Sequence, residues 1–260
     1  MESAASNGGG AMANSGSGDS VVDRVVRILE AFPEGVSSLP LGELAARAGL
    51  PLTSAHRLVN QLAGHRLLEQ APGGKVQLGL RLWELVNRNS PTLVLRQAAL
   101  PFMDDIHQVL NQNVNLAVLQ GDDVLFVERL SRRGSVANRA KVAGRMPVHV
   151  SSAGVALMSA QPPHVQAAYL ARFRDPTGKA TTEHVRQLLA AAATHGYAEL
   201  AGVVDPDTWG IAVPIYDRQR RAVAAIGVVV PLAEVRMQQL VPPLKTAARG
   251  IGRQLGAPGE

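Results

Sequence analysis

Residues 41–64 read LGELAARAGLPLTSAHRLVNQLAG, and this stretch decides the fold of the first third of the chain. Leu41, Leu44, Ala45 and Ala48 recur at i, i+3, i+4, i+7, the spacing of one buried helix face. Pro40 suits a first helical turn, and Gly49, Leu50 and Pro51 break the pattern within three residues. Ala55, Leu58, Val59 and Leu62 then repeat the same stripe over 52–64. Two short amphipathic helices around a tight glycine-containing turn predict a helix-turn-helix. Opposite the second stripe, at about 100° per residue, lie Thr53, Arg57 and Asn60. Ser54 and Gln61 flank them on one side and His56 on the other. No Asp or Glu occurs from Pro51 to Leu68, so this face carries nothing that repels a polyanion.

Working outward, Val22, Val25, Val26, Leu29 and Phe32 predict a preceding helix over 20–32, with Ser20 as N-cap and Pro33 and Gly35 as stops. After residue 64, two short alternating runs, 67–70 and 75–78, surround Ala71, Pro72, Gly73 and Gly74. They predict a β-hairpin. Three helices and a hairpin in about sixty residues is the winged helix plan. A short helix over 80–86, a linker over 87–91 and a long helix over 92–112 follow.

Beyond them the texture changes. Strands are expected over 115–119 and 124–130, helices over 153–160, 163–171 and 183–195, a strand pair over 211–216 and 222–230, and a closing helix over 241–255. The fold class is α+β. The expected organisation is a disordered tail over 1–18, a winged helix-turn-helix over 19–80, linker helices over 81–113 and an α+β domain over 114–256.

Composition bounds the chemistry. With 260 residues, 46% of them hydrophobic but only 3% aromatic, the cores are built from Leu, Val, Ile and Ala. There is no cysteine, which excludes disulfides, thiolate catalysis and Cys-ligated zinc and fits a reducing cytoplasm. The seven His show no metal-ligand spacing, so neither a metal nor another cofactor is expected. No apolar run is long enough to span a membrane. The net charge of +5 permits a nucleic-acid partner, but residues 19–88 hold eight Lys/Arg against seven Asp/Glu. A DNA footprint there must come from placement on one face.

That face has suitable chemistry. Arg57 can reach a guanine edge or a phosphate, while Asn60 and Gln61 offer the donor–acceptor pair that reads adenine. Thr53 and Ser54, near a helix N-terminus, suit phosphate contacts. Lys75, just after the wing turn, suits a flanking phosphate or the minor groove. His56 reads equally as a contact or as a residue at the helix seam, and Arg24 equally as a brace of the first helix or a phosphate contact.

The chain resembles the IclR family of bacterial transcriptional regulators over nearly all of residues 20–256. The matching stretches are Val22, Asp23 and Arg24 leading into Ile28 and Leu29; Leu44 and Ala45 with Gly49, Leu50 and Pro51; and Ser54 to Leu58. Leu78, Gly79, Arg81 and Leu82 match at the end of the wing. Asn115 to Leu119, Gly144 to His149, Ser152 to Gly154, Gly196 to Ala198, and Val213 with Pro214 match in the second half. Their order and spacing carry the resemblance. It implies a winged helix-turn-helix, a linker helix and a GAF-like effector-binding domain. It also implies a homodimer or dimer of dimers on operator DNA, often repressing a catabolic operon until a small organic acid binds. Repression is the leading expectation. Activation, or a second domain that serves only oligomerisation, stays open.

The resemblance also places the effector near Ala153 and Gly154, near the segment ending at Val213 and Pro214, and near the strand from Ala225 to Pro231. Small-acid sensors of the family hold an acidic residue, a Cys and two Ser where this chain has Leu200, Gly210, Gly227 and Val229. Burying a small carboxylate without donors is costly, and Gly opens volume. The expectation is a larger, more apolar pocket for an aromatic or otherwise bulky ligand, with Trp209 as a stacking wall and Ile211 beside it. No catalytic site is expected: His149, Ser151, Ser152 and Asp205 read as turn and helix-cap residues, and no nucleophile elbow surrounds either serine.

Overall fold

The computed structural model describes residues 19–88, 90–131 and 140–256, so the tail expected over 1–18 lies outside the described residues. The chain divides into two compact units between Ser90 and Pro91.

The first unit holds α1 (Val21–Glu30), β1 (Ser38–Pro40), α2 (Leu41–Arg47), α3 (Leu52–Gly64), β2 (Leu68–Ala71), β3 (Lys75–Leu78) and α4 (Leu80–Arg88). Ser20 starts α1 with a reciprocal cap. Its Oγ accepts from Asp23 N at 3.0 Å, and Asp23 Oδ2 accepts from Ser20 N at 3.0 Å. The Ser20 hydroxyl also donates to Asp23 Oδ2 at 2.6 Å, and this bond first, with that from Ser20 N second, holds the Asp23 carboxyl below its ordinary pKa. Between α2 and α3 the chain reverses at Gly49, whose φ of +62° is left-handed backbone that favours glycine. The expected stripes are the core: Leu44, Ala48, Leu58, Val59 and Leu62 pack with Ile28, Leu39, Leu68 and Val76.

β2 and β3 pair antiparallel with Leu68 opposite Leu78 and Ala71 opposite Lys75, closed by a turn in which Gly73 and Gly74 both have positive φ. The sequence reading missed β1, which pairs with the outer side of β3 and makes the order β1-β3-β2. Three residues are too few to show a period of two.

The second unit contains α5 (Pro91–Leu110), β4 (Asn113–Gln120), β5 (Asp123–Leu130), β6 (Arg145–Pro147), α6 (Ser152–Ser159), α7 (Pro163–Arg172), α8 (Thr182–His195), β7 (Ala198–Ala201), β8 (Thr208–Tyr216), β9 (Ala222–Pro231) and α9 (Met237–Gln254). Its six strands form one sheet in the order β6-β5-β4-β9-β8-β7, and every neighbouring pair is antiparallel. Helices cover both faces. On one face Leu95, Met103 and Ile106 of α5 and Leu244 and Ile251 of α9 pack on Ile211, Val213, Ile215 and Ile226. On the other, α6 and α8 pack on Ala212 and Ala225. β8 thus alternates the large Ile211, Val213 and Ile215 toward α5 and α9 with the small Ala212 toward α6. α6 lies deepest, with every residue from Ala153 to Ser159 buried.

α9 begins four residues before the expected start. The helix runs from Met237 and carries Pro242 and Pro243 inside its first two turns.

Candidate nucleic-acid interface and ligand cavity

α3 turns Ala55, Leu58, Val59 and Leu62 inward. Thr53, His56, Arg57, Asn60 and Gln61 are exposed and Ser54 is half-buried. The structure therefore assembles six of the eight residues expected at DNA on one helix. His56 stands on the open face and not at the helix seam, with its Nδ1 3.4 Å from Asn60 Nδ2. Lys75 is exposed at the base of the wing turn.

Arg24 requires a correction. It is only 7% exposed, and its Nε donates to Ser20 O at 3.4 Å. It braces the start of α1 rather than standing free for a phosphate. Arg27, one turn on, is tied to Asp19 at 2.6 Å.

In the second unit a cavity opens between the sheet, the N-terminus of α6 and the loop between β7 and β8. It holds about 600 Å³ of atom-free space, partly continuous with solvent. Ala153, Leu200, Gly210, Gly227 and Val229, all expected there, line it. Phe126, Met146 and Val150 supply apolar wall, and Val203 and Val204 stand at its rim.

Three expected residues do not line it. Trp209 and Ile211 flank Gly210 on β8, so alternation sends them through to the opposite face, against the α5 and α9 core. Trp209 is thus no stacking wall for this cavity. Gly154 is a packing residue: a Cβ there would fall 2.4 Å from Val148 O and 2.6 Å from Val148 Cα.

The glycines of the sheet also differ from expectation. A Cβ on Gly210 would meet Ser152 Oγ at 2.9 Å, and one on Gly227 would meet Ile211 O at 2.6 Å. Their missing side chains admit close neighbours as well as open space.

Two family descriptions match the chain. "Bacterial transcriptional regulator IclR C-terminal" covers residues 91–253, and "IclR helix-turn-helix domain" covers residues 21–72. The chain belongs to the IclR family. It is a DNA-binding transcriptional regulator.

A crystal structure of an IclR homologue complexed with 4-hydroxybenzoate, from Microbacterium hydrocarbonoxydans, is 40% identical, with a TM-score of 0.83 over 91% of this chain and 99% of that one. The glycerol operon regulatory protein of Streptomyces coelicolor is 29% identical over 91% of this chain and 96% of its own. The HTH-type transcriptional regulator XynR of Escherichia coli is 24% identical over 91% and 97%.

Within this IclR-family cavity the sequence reading missed the polar lining. Asn115 of β4, Ser151 and Ser152 at the start of α6, Asp205 of the loop before β8, and Thr208 at the start of β8 all converge on it. Ser151 caps α6, accepting from Gly154 N at 3.4 Å. Thr208 Oγ1 donates to Asp205 O at 2.9 Å, and Asp205 Oδ1 accepts from Asp207 N at 3.2 Å. The helix start adds backbone N–H groups and the positive end of a helix dipole. Polar anchors are therefore present, carried by β4, the start of α6, the β7–β8 loop and the first residue of β8. The available signal was the pair of adjacent serines before an unbroken apolar helix, an N-terminus signature.

His149 does not address these serines. It is 8% exposed, its Nε2 lies 3.9 Å from Asp175 Oδ1, and its ring meets Phe173 edge-on at 4.9 Å. Burial pushes its pKa down, partly opposed by Asp175. Asp175 is held down to about 2, first by the Thr177 hydroxyl and then by backbone N–H donors. Among the described residues no cluster of three or more potential metal ligands occurs, and no helix is long and apolar enough to cross a membrane.

Proposed function

We propose that this regulator is a repressor, acting in the cytoplasm as a homodimer or dimer of dimers, and that a small aromatic or comparably apolar acid releases it from its operator. Thr53, Ser54, His56, Arg57, Asn60 and Gln61 of α3 enter the major groove, and Lys75 contacts flanking backbone. The effector occupies the cavity at the α6 N-terminus. Its apolar part lies against Phe126, Met146, Val150 and Leu200, and its acid group faces Ser151, Ser152 and the helix start. The observation that carries this reading is the make-up of that cavity: apolar walls around a few convergent polar groups. The 40% identical relative bound to 4-hydroxybenzoate supports it.

The transmission step is thermodynamic: a ligand shifts operator affinity only by its differential affinity for two states of the protein. Gel shifts with DNA from upstream of the gene test the whole reading. Arg57→Ala with Asn60→Ala should abolish the specific shift, Arg57→Ala alone costing about 1–3 kcal/mol if it reads a base. Adding 4-hydroxybenzoate should weaken the wild-type complex, and glyoxylate should act far less. An operator complex indifferent to the paired substitution would overturn the role of α3. A stronger response to glyoxylate would overturn the ligand class.

A further inference from the structure

The positive charge of this DNA-binding protein is not where its helix-turn-helix is. Residues 19–88 carry eight Lys/Arg and seven Asp/Glu, whereas residues 89–260 carry eighteen and thirteen. Part of that excess gathers at one groove of the second unit, lined by Tyr216, Asp217, Arg218, Lys245, Arg249 and Arg253, with Gly196 and Gly252 among its smaller members.

Lys245, Arg249 and Arg253 stand at i, i+4 and i+8 on α9, hence on one face, about 6 Å apart and spanning about 12 Å. A Cβ on Gly252 would lie 2.3 Å from Tyr216 O, so α9 presses directly on the end of β8. That contact sets the cationic row beside Arg218 of the β8–β9 turn. Asp217 is the one acid of the lining, and it is engaged: its Oδ2 accepts from Arg221 Nε at 2.8 Å and its Oδ1 from Arg221 N at 2.8 Å. Lys245 Nζ donates to His195 O at 2.9 Å and lies 5.5 Å from the Tyr197 ring centroid. Among the described residues Arg218, Arg249 and Arg253 form no ion pair with a carboxylate, and all three are exposed. Like charges at i, i+4 repel, so the row calls for an external counter-charge.

We propose that this groove is a second, sequence-independent DNA surface that takes the phosphate backbone of duplex flanking the operator. The cations form a line and do not converge on a point, which suits a run of phosphates better than one small anion. The protein's own partner is a polyanion of that form.

The test uses the full-length protein and two duplexes: the footprinted operator trimmed to the protected length, and the same operator with about 20 base pairs added on each side. Affinity is measured by fluorescence anisotropy from 50 to 200 mM salt. The expectation is a steeper salt dependence on the long duplex. Arg249→Ala with Arg253→Ala should make the long-duplex slope shallower by about 1.8, so that it loses about twelvefold less affinity across that range, and should leave the short duplex unchanged. Arg249→Lys with Arg253→Lys should keep the wild-type slope, because a phosphate contact needs the charge and not the guanidinium plane. Equal slopes for wild type and the Ala pair on the long duplex would overturn the proposal. So would an equal loss on both duplexes with a changed sedimentation mass, which would make the groove a subunit interface. Arg57→Ala separates the two DNA readings, since it should weaken both duplexes alike. A wild type that binds neither duplex would overturn both.

Discussion

Replacing Gly154 by Ala should destabilise the second unit, and the sign of the effect is diagnostic. Gly154 lies in the first turn of α6, where a helical Gly→Ala change with free space stabilises by up to about 1 kcal/mol. Here the added methyl would sit 2.4 Å from Val148 O, 2.6 Å from Val148 Cα and 2.9 Å from Val148 C. All three are backbone, held in the turn that feeds α6, so no flexible side chain can swing aside. Overpacking of this kind costs typically 1–3 kcal/mol, and a methyl about 1 Å too close belongs at the upper end. After subtracting the propensity gain, the net loss is about 2 kcal/mol.

The assay is urea unfolding of the full chain in a Trp83→Phe background, so that Trp209 reports the second unit alone. With an m-value of about 2 kcal/mol/M, the midpoint should fall by about 1 M. Gly42→Ala, in α2 of the first unit, is the control for the propensity gain, read as the thermal midpoint of that unit by circular dichroism: nothing lies within 4 Å of a Cβ there, and the change should be neutral or stabilising. If Gly154→Ala raised the midpoint as well, the argument from close approach would fail, and α6 would not be wedged against residues 148–150.

Two further outcomes follow from local chemistry. His149 is held neutral, so between its lowered pKa and the unfolded value near 6.5 only the unfolded chain takes up the proton. Its contribution to stability is complete above about pH 6.5 and is lost as pH falls toward the folded value; His149→Asn should therefore show a smaller drop in urea midpoint between pH 7.5 and 5.5, and an identical drop would refute the account. Ser20→Ala removes the α1 cap and should cost about 1 kcal/mol, read as a lower thermal midpoint of the first unit, whereas Ser20→Asp should restore most of it.

The parts legible in the sequence were those fixed by local periodicity. Ala55, Leu58, Val59 and Leu62 repeat at helical spacing, and the same geometry that buries them exposes Arg57, Asn60 and Gln61. The wing followed from Gly73 and Gly74, because a tight turn with two left-handed residues favours glycine. What was not legible depended on where strands begin and on what meets across the fold. Starting β8 at Ile211 instead of Thr208 left Trp209 outside the alternation that ties it to Ile211, Val213 and Ile215. Reading Gly210 as empty space ignored Ser152, which is distant in sequence and 2.9 Å from where a Cβ would be. Asn115, Ser152 and Thr208 converge from one strand, a helix and a second strand, and no short window of sequence holds all three. For Arg24 the sequence left a brace of the first helix and a phosphate contact equally open, and only packing shows that it is buried.

Beyond its Ser152 end, which lines the cavity, α6 turns no face to water: the sheet lies on one side of it and α8 on another, and it is apolar nearly all round. Such a helix cannot roll or bend alone, because every rotation drives methyl groups into a close-packed neighbour and leaves a void behind. It behaves as a stiff rod set lengthwise through the unit. A displacement of its Ser152 end is therefore expected to carry the Ser159 end with it, because the helix has no loosely packed stretch between them to take up the shift.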